Sequence, residues 1–145
     1  VSSTKAVKIK PYLNQIHTLK PNIKEAQSLS DLPYHNQEDL SAIADWFLNQ
    51  GTQQIFLSLG AEGVFYKDDQ RTQLFPTVSN HIENANGAGD AFLAGLAHSF
   101  INKWSVEKSG EYAMAAASVA LSDVATINPN FSDSAIQRVL NETEC

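Results

Sequence analysis

Residues 53–60, QQIFLSLG, form an unbroken apolar run ended by a glycine, directly after an amphipathic stretch at 36–51, NQEDLSAIADWFLNQG. A strand without polar alternation has to be covered on both faces, since either face left in water would expose apolar side chains. The stretch before it supplies one such cover. Leu40, Ile43, Phe47 and Leu48 keep a helical period, Asn36 is placed to cap the first turn, and Gly51 sits where a left-handed terminus belongs. A covered strand following a helix points to an α/β layered architecture.

The rest of the chain continues that alternation, with no internal repeat and no low-complexity tract. SSTKAVKIKPYLNQI (2–16) reads as helical, with Pro11 kinking it or opening a second short helix. HTLK (17–20) reads as a short strand, and NIKEAQSL (22–29) as a helix starting at Asn22. GVFYK (63–67) and RTQLFP (71–76) flank DDQ and read as a hairpin, with a further short strand expected at 78–82. From Ala88 to about Lys103 the pattern is helical, with Phe92, Leu96, Phe100 and Trp104 repeating every four residues. An alanine-rich helix is expected over 106–125, and SDSAIQRVLNET (132–143) closes the chain as a capped helix. The expectation is one domain with a mostly parallel sheet and an antiparallel hairpin.

Composition excludes several classes. Of 145 residues, 43% are hydrophobic and 18% charged, enough apolar material for a core and too little charge for general disorder. A formal net charge of −6 argues against a nucleic-acid partner, since no basic surplus neutralises phosphates. No run approaches the roughly 18 apolar residues of a membrane span. Cys145 is the only cysteine, which favours a reducing, cytoplasmic setting. His17, His35, His81 and His98 lack ligand spacing. The chain opens on Val1 with no charged-then-apolar leader, so no signal peptide is expected, and a processed product or a piece of a longer chain is.

The segment ENANGAGDAF (83–92) carries the chemistry. A helix opening on a glycine turn presents unpaired N–H groups and a partial positive charge, together an anion site. Gly87 and Gly89 let backbone approach a phosphate with no side chain between, and Asp90 in the first turn could take a proton from a hydroxyl. No G-K-[ST] follows, so this is not a Walker A loop, and Phe92 stands where a Rossmann motif needs its third glycine. The plain competitor is a helix start with a dipole-favoured acid.

NANGAGDAFLAGL (84–96) resembles the signature of the PfkB, or ribokinase-like, carbohydrate kinases, commonly D-T-x-G-A-G-D-x-F-x-x-G. KPNIKE (20–25) is similar to the P-N-x-x-E segment of that family, and LSLGAEGVFY (57–66) to its T-L-G-x-x-G-V strand and turn, in the right order and spacing. The opening V-S-x-x-K and HTLKPN are similar to the pseudouridine kinase branch. The resemblance implies a ribokinase-like three-layer sandwich, of which this chain would be the C-terminal, nucleotide-binding portion. The N-terminal half, with most substrate contacts and the lid, would be absent.

It also implies ATP and Mg²⁺ as cofactors and a small sugar or nucleoside as partner, with no nucleic acid, no membrane and a homodimer left open. By similarity Asp90 would be the general base, and Gly87, Ala88 and Gly89 the anion hole. Asn22 would lie near the triphosphate, and Glu25 would hold Mg²⁺ through water. Gly60 and Gly63 would lie under the nucleotide, and Ala116, Ala120 and Asn128 would wall the adenine. Plain structural readings compete: Asn22 and Glu25 have capping-box spacing, GAEG could be only a turn, and the alanine helix could be only close packing.

Asn84 and Ala85 stand where relatives carry Asp and Thr or Ser, which puts the family's monovalent-cation site in doubt here. One rival reading is a non-catalytic nucleotide-binding or assembly module that keeps the fold. A Rossmann-type dinucleotide binder ranks last: Glu107 and Glu111 fall about 20 residues past the loop, but on an expected helix.

Overall fold

The sequence pattern 36–51 becomes helix α3 (Gln37–Asn49), whose N-cap Asn36 accepts from the Glu38 and Asp39 amides while Asp39 returns a bond to the Asn36 amide. This capping box satisfies amides that the first helical turn cannot satisfy internally. Gly51 follows at φ +100°, and a Cβ built there would also lie 2.9 Å from Asn14 Cα. The structure is a computed structural model and describes residues 3–78, 87–123 and 128–143. The strand expected beyond Val78, the Asn84–Ala85 pair, His81 and Cys145 lie outside the described residues.

The chain divides into two units, Val1–Leu74 and Phe75–Cys145. In the first, a short α1 (Ser3–Ala6) runs into a 3-10 helix (Val7–Gln15), then β1 (Thr18–Leu19) and α2 (Ile23–Ser30). After α3 come β2 (Gln54–Ser58), a 3-10 turn (Gly60–Glu62), β3 (Val64–Lys67) and β4 (Thr72–Phe75). The sheet order is β1-β2-β3-β4. It is mixed: β1 pairs parallel with β2, Thr18 opposite Gln54, and β2 pairs antiparallel with β3, Phe56 opposite Tyr66. The helical stretch expected over 2–16, with Pro11 kinking it or opening a second short helix, is mostly 3-10, and Pro11 lies within the 3-10 part, where it offers no N–H for an i→i−4 bond.

Strand β2 is buried on both faces, as its apolar run requires. Ile55 and Leu57 join Leu13, Ala26, Leu29, Leu40, Ile43, Phe47 and Phe65 in one core under the helices. Phe56 points the other way, its ring 4.7 Å from that of Tyr66, and both are buried. A polar ladder crosses the sheet at the edge where β1 and β2 begin and β3 ends. Gln54 Nε2 donates to Thr18 Oγ1 at 2.7 Å, Gln54 Oε1 lies 3.2 Å from the Tyr66 hydroxyl, and that hydroxyl donates to Asp68 Oδ2 at 2.5 Å. Asp68 Oδ1 also accepts from the Gln70 and Arg71 amides, which closes the β3–β4 turn.

Among the described residues the second unit holds three helices, α4 (Ala88–Ile101), α5 (Val106–Leu121) and α6 (Asp133–Thr143). Helix α5 ends four residues short of the expected 125, with Ser122 as its C-cap. Tyr112, Ala115, Ala116, Val119 and Ile136 form the core between α5 and α6. Glycine sets two close approaches here: an added Cβ would lie 2.8 Å from Ala113 Cα at Gly95, and 2.1 Å from the Phe75 ring at Gly110. Of the four-residue repeat on α4, Phe92 and Leu96 are buried but Phe100 is 70% exposed. A spacing of four advances about 40° per step around a helix of 3.6 residues per turn, so the repeat leaves the buried face by its third member.

Candidate active site

Helix α4 begins on Gly87 at φ +86°, a left-handed conformation that glycine adopts without a Cβ penalty. Gly87 has no side chain to cap the helix, so the amides of the first turn are not satisfied by the N-cap in the usual way. The Ala91 amide makes the first helical bond, to Gly87 O at 2.9 Å. Gly87, Ala88 and Gly89 are partly exposed and Asp90 is exposed. The Asp90 carboxylate makes no hydrogen bond or ion pair with another described residue, so no described side chain competes for it. The structure thus joins the glycine turn, the helix terminus and Asp90 in one exposed turn.

In the first unit, Asn22 caps α2. The Glu25 amide donates to Asn22 Oδ1 at 2.9 Å and the Asn22 amide to Glu25 Oε2 at 3.0 Å, a reciprocal capping box. That leaves Glu25 Oε1 and Asn22 Nδ2, one acceptor and one donor, without a hydrogen bond among the described residues; Asn22 is exposed and Glu25 partly so. Asn22 also bridges in parallel to Ser58 at the end of β2, and the Ser58 amide donates to Pro21 O at 3.0 Å. Lys20 Nζ donates to Ser58 Oγ at 3.4 Å. The capping box therefore sits beside Ser58, two residues before Gly60. Ligand sites of open α/β sheets lie at these carboxyl ends of parallel strands.

Gly60 (φ +67°, exposed) and Gly63 (φ +100°, buried) bound the 3-10 turn between antiparallel strands, and Gly63 N–H donates to Gly60 O at 3.2 Å. Both need glycine for backbone conformation alone. Ser58 and Lys20 were not singled out by sequence reading. The only signal available was their adjacency to LGAEG and PN, because strand pairing across this distance leaves no local trace.

The residues expected to wall the adenine divide. Ala116 is fully buried in the core of the second unit, Ala120 is partly exposed, and Asn128 is 8% exposed. Asn128 Nδ2 donates to Val119 O at 2.6 Å and to Ser122 Oγ at 3.3 Å, while its Oδ1 accepts from the Asn130 amide. Its amide group is thereby engaged in pinning the 128–130 turn to the end of α5. A cavity of about 440 Å³ opens beside this helix end, lined by Ser118, Val119, Ser122, Val139 and Thr143 among others. Among the described residues no group of three His, Cys, Asp or Glu could hold a metal directly, and no helix is long and apolar enough to cross a membrane.

The family model of pfkB family carbohydrate kinases matches residues 1–133. The chain belongs to that family, and its fold is the ribokinase-like α/β class. It is 37% identical to the pseudouridine kinase of Escherichia coli K12 over 146 aligned positions, covering all of this chain and 47% of that protein. An uncharacterized sugar kinase of the same organism is 34% identical, covering 96% of this chain and 39% of that protein. A crystal structure of a candidate sugar kinase from Clostridium perfringens superposes with a TM-score of 0.89 at 33% identity, over 99% of this chain and 44% of that one. Arabidopsis thaliana ribokinase, solved with ribose and ATP, gives 0.83 at 24% identity over 90% and 43%. The chain spans less than half the length of these relatives.

Proposed function

We propose that the polypeptide to which this chain belongs transfers the γ-phosphoryl group of ATP to a hydroxyl of a sugar or nucleoside, with pseudouridine the first substrate to test. The observation that carries this reading is the exposed turn at the head of α4, where Gly87 at φ +86° opens the helix and Asp90 follows without a described partner. Membership of a carbohydrate kinase family supports the reaction class, and the 37% identity to pseudouridine kinase supports the choice of substrate.

Phosphoryl transfer asks a protein mainly for positioning and charge stabilisation. In this reading Asp90 accepts the proton of the attacking hydroxyl. The backbone N–H groups of Gly87, Ala88 and Gly89, reinforced by the helix dipole, face the negative charge that spreads over the phosphoryl oxygens. The donor set suits ATP and Mg²⁺: Asn22 Nδ2, not used in the cap, is a donor for a phosphate, and Glu25 Oε1, likewise unused, is an acceptor for a hydrated cation. Bound Mg²⁺ would supply charge neutralisation on the phosphates. Gly60 and Gly63 would give the nucleotide a flat backbone surface, and Ala120 would contribute to the adenine wall, with Ala116 and Asn128 acting through packing.

The test is a coupled kinase assay of the longer polypeptide, wild type and Asp90→Asn, against pentoses, hexoses and nucleosides including pseudouridine. ATP-dependent turnover lost in the variant is expected. No turnover with any hydroxyl acceptor, alongside retained nucleotide binding, would favour the nucleotide-binding module instead.

A further inference from the structure

The turn at the head of α4 holds a reactive pair that phosphoryl transfer does not use. Asn86 is the only asparagine in the sequence that a glycine follows. Asn86 itself lies outside the described residues, and Gly87 carries the structural side of the argument. Gly87 is partly exposed, stands at φ +86° and has no Cβ to shield its nitrogen. Helix α4 starts at Ala88 and its first bond runs from the Ala91 amide to Gly87 O, so the Gly87 N–H stands outside the helical ladder. That N–H makes no hydrogen bond with another described residue. An unshielded, unbonded amide nitrogen after an asparagine is the nucleophile of deamidation.

We infer that Asn86–Gly87 is a self-modification site, at which the asparagine deamidates and isomerises and so places a carboxylate beside the phosphate turn. The Gly87 nitrogen attacks Asn86 Cγ. The N–Cγ bond forms, the Cγ–Nδ2 bond breaks, and Nδ2 leaves as ammonia with the proton of the Gly87 amide. Water then opens the cyclic imide at either carbonyl, giving aspartate or, with the main chain rerouted through Cγ, isoaspartate. No oxidant or co-reactant other than water enters. Other asparagines are less suited: Asn22 and Asn36 hold Oδ1 in capping boxes before Ile23 and Gln37, and Asn128 precedes Pro129, whose nitrogen has no proton to release. The new carboxylate carries the charge that the positive end of α4 attracts, so it competes with a phosphate for the Ala88 and Gly89 amides. Isoaspartate also lengthens the main chain by one carbon, about 1.5 Å, and a misplacement of about 1 Å can cost about 100-fold in rate. This effect on nucleotide rests on the function proposed above; the covalent step does not.

The test ages the longer polypeptide in mildly alkaline buffer at physiological temperature, beside Asn86→Gln, whose extra methylene disfavours the five-membered imide. Peptides are mapped by mass and by enzymatic methylation of isoaspartate. The peptide bearing Asn86 should gain about 1 Da and accept methyl groups before any other asparagine-bearing peptide of the same wild-type sample. ATP–Mg²⁺ affinity should fall in proportion to the converted fraction in wild type and hold in Asn86→Gln. Conversion at Asn86 no faster than at the other asparagines would overturn the site. Full conversion with unchanged affinity would overturn the competition with phosphate. Fresh polypeptide that binds no nucleotide would fault the proposed function instead, and the mass would still decide the modification.

Discussion

A Cβ built on Gly95 would stand 2.8 Å from the Cα of Ala113, so α4 and α5 cross at a distance that only glycine permits. Gly95 ends the stretch resembling the family signature, GAGDAFLAG, and its place in this chain is explained by packing. The crossing fixes the helix whose head carries Gly87 and Asp90.

Gly95→Ala should therefore destabilise the protein even though alanine favours a helix by about 1 kcal/mol over glycine. Overpacking a close crossing costs about 1–3 kcal/mol, which outweighs that gain, and Gly95→Val should cost more. Denaturant titration of both variants reads this, and an unchanged or raised midpoint for Gly95→Ala would refute the tight crossing.

Asp90→Asn should lower kcat of the longer polypeptide about 10²–10⁴-fold while ATP affinity stays within a few-fold. Stability should fall by no more than the roughly 0.3–1 kcal/mol of a charge at a helix start, because the carboxylate has no described partner to lose. A variant keeping most of its kcat would remove Asp90 from the base role.

Glu25→Gln and Asn22→Ala separate cap from cofactor. Glutamine still accepts from the Asn22 amide, so the first variant should keep its stability and raise the Mg²⁺ concentration needed for nucleotide binding. Asn22→Ala removes the bond to the Glu25 amide and should cost about 0.5–2 kcal/mol. If Glu25→Gln loses stability at unchanged Mg²⁺ dependence, the pair is a cap alone.

Burial, together with donation to Asp133 Oδ1 at 2.7 Å, pushes the Tyr112 hydroxyl from 10.0 up to about 12. The protonated phenol is thus favoured in the folded state. Its contribution is fully present below pH 10.0 and is lost as pH rises through about 12. Tyr112→Phe should lower stability at neutral pH and flatten the alkaline fall over that interval, as followed by circular dichroism. An alkaline profile identical to wild type would show that this hydroxyl is not coupled to folding.

Local signals were legible in the sequence. The capping-box spacing at Asn22, the cap at Asn36, the left-handed Gly51, the glycine turn at the head of α4 and the doubly covered β2 each follow from residues a few positions apart. Features set by packing were not. The ladder from Thr18 through Gln54 to Tyr66 joins residues 36 and 12 positions apart, and only strand register brings them together. Phe100 shared a spacing with Phe92 and Leu96, but helical drift carried it outward. Ala116 and Ala120 look alike in sequence, yet helix rotation buries one and partly exposes the other. Asn128 was singled out, but its hydrogen bonds depend on where α5 ends.

The β1–β2 pairing also bears on the order of events in folding. Thr18 meets Gln54 only after two intervening helices, α2 and α3, have been accommodated, so forming that parallel pair requires closing a long loop first. The second unit needs no such closure, since α4 meets α5 and α5 meets α6 in chain order. Local contacts form faster than distant ones. The helical half that bears Asp90 should therefore gain hydrogen-exchange protection before the β1–β2 pair of the unit that bears Glu25, and pulse labelling during refolding would resolve the two.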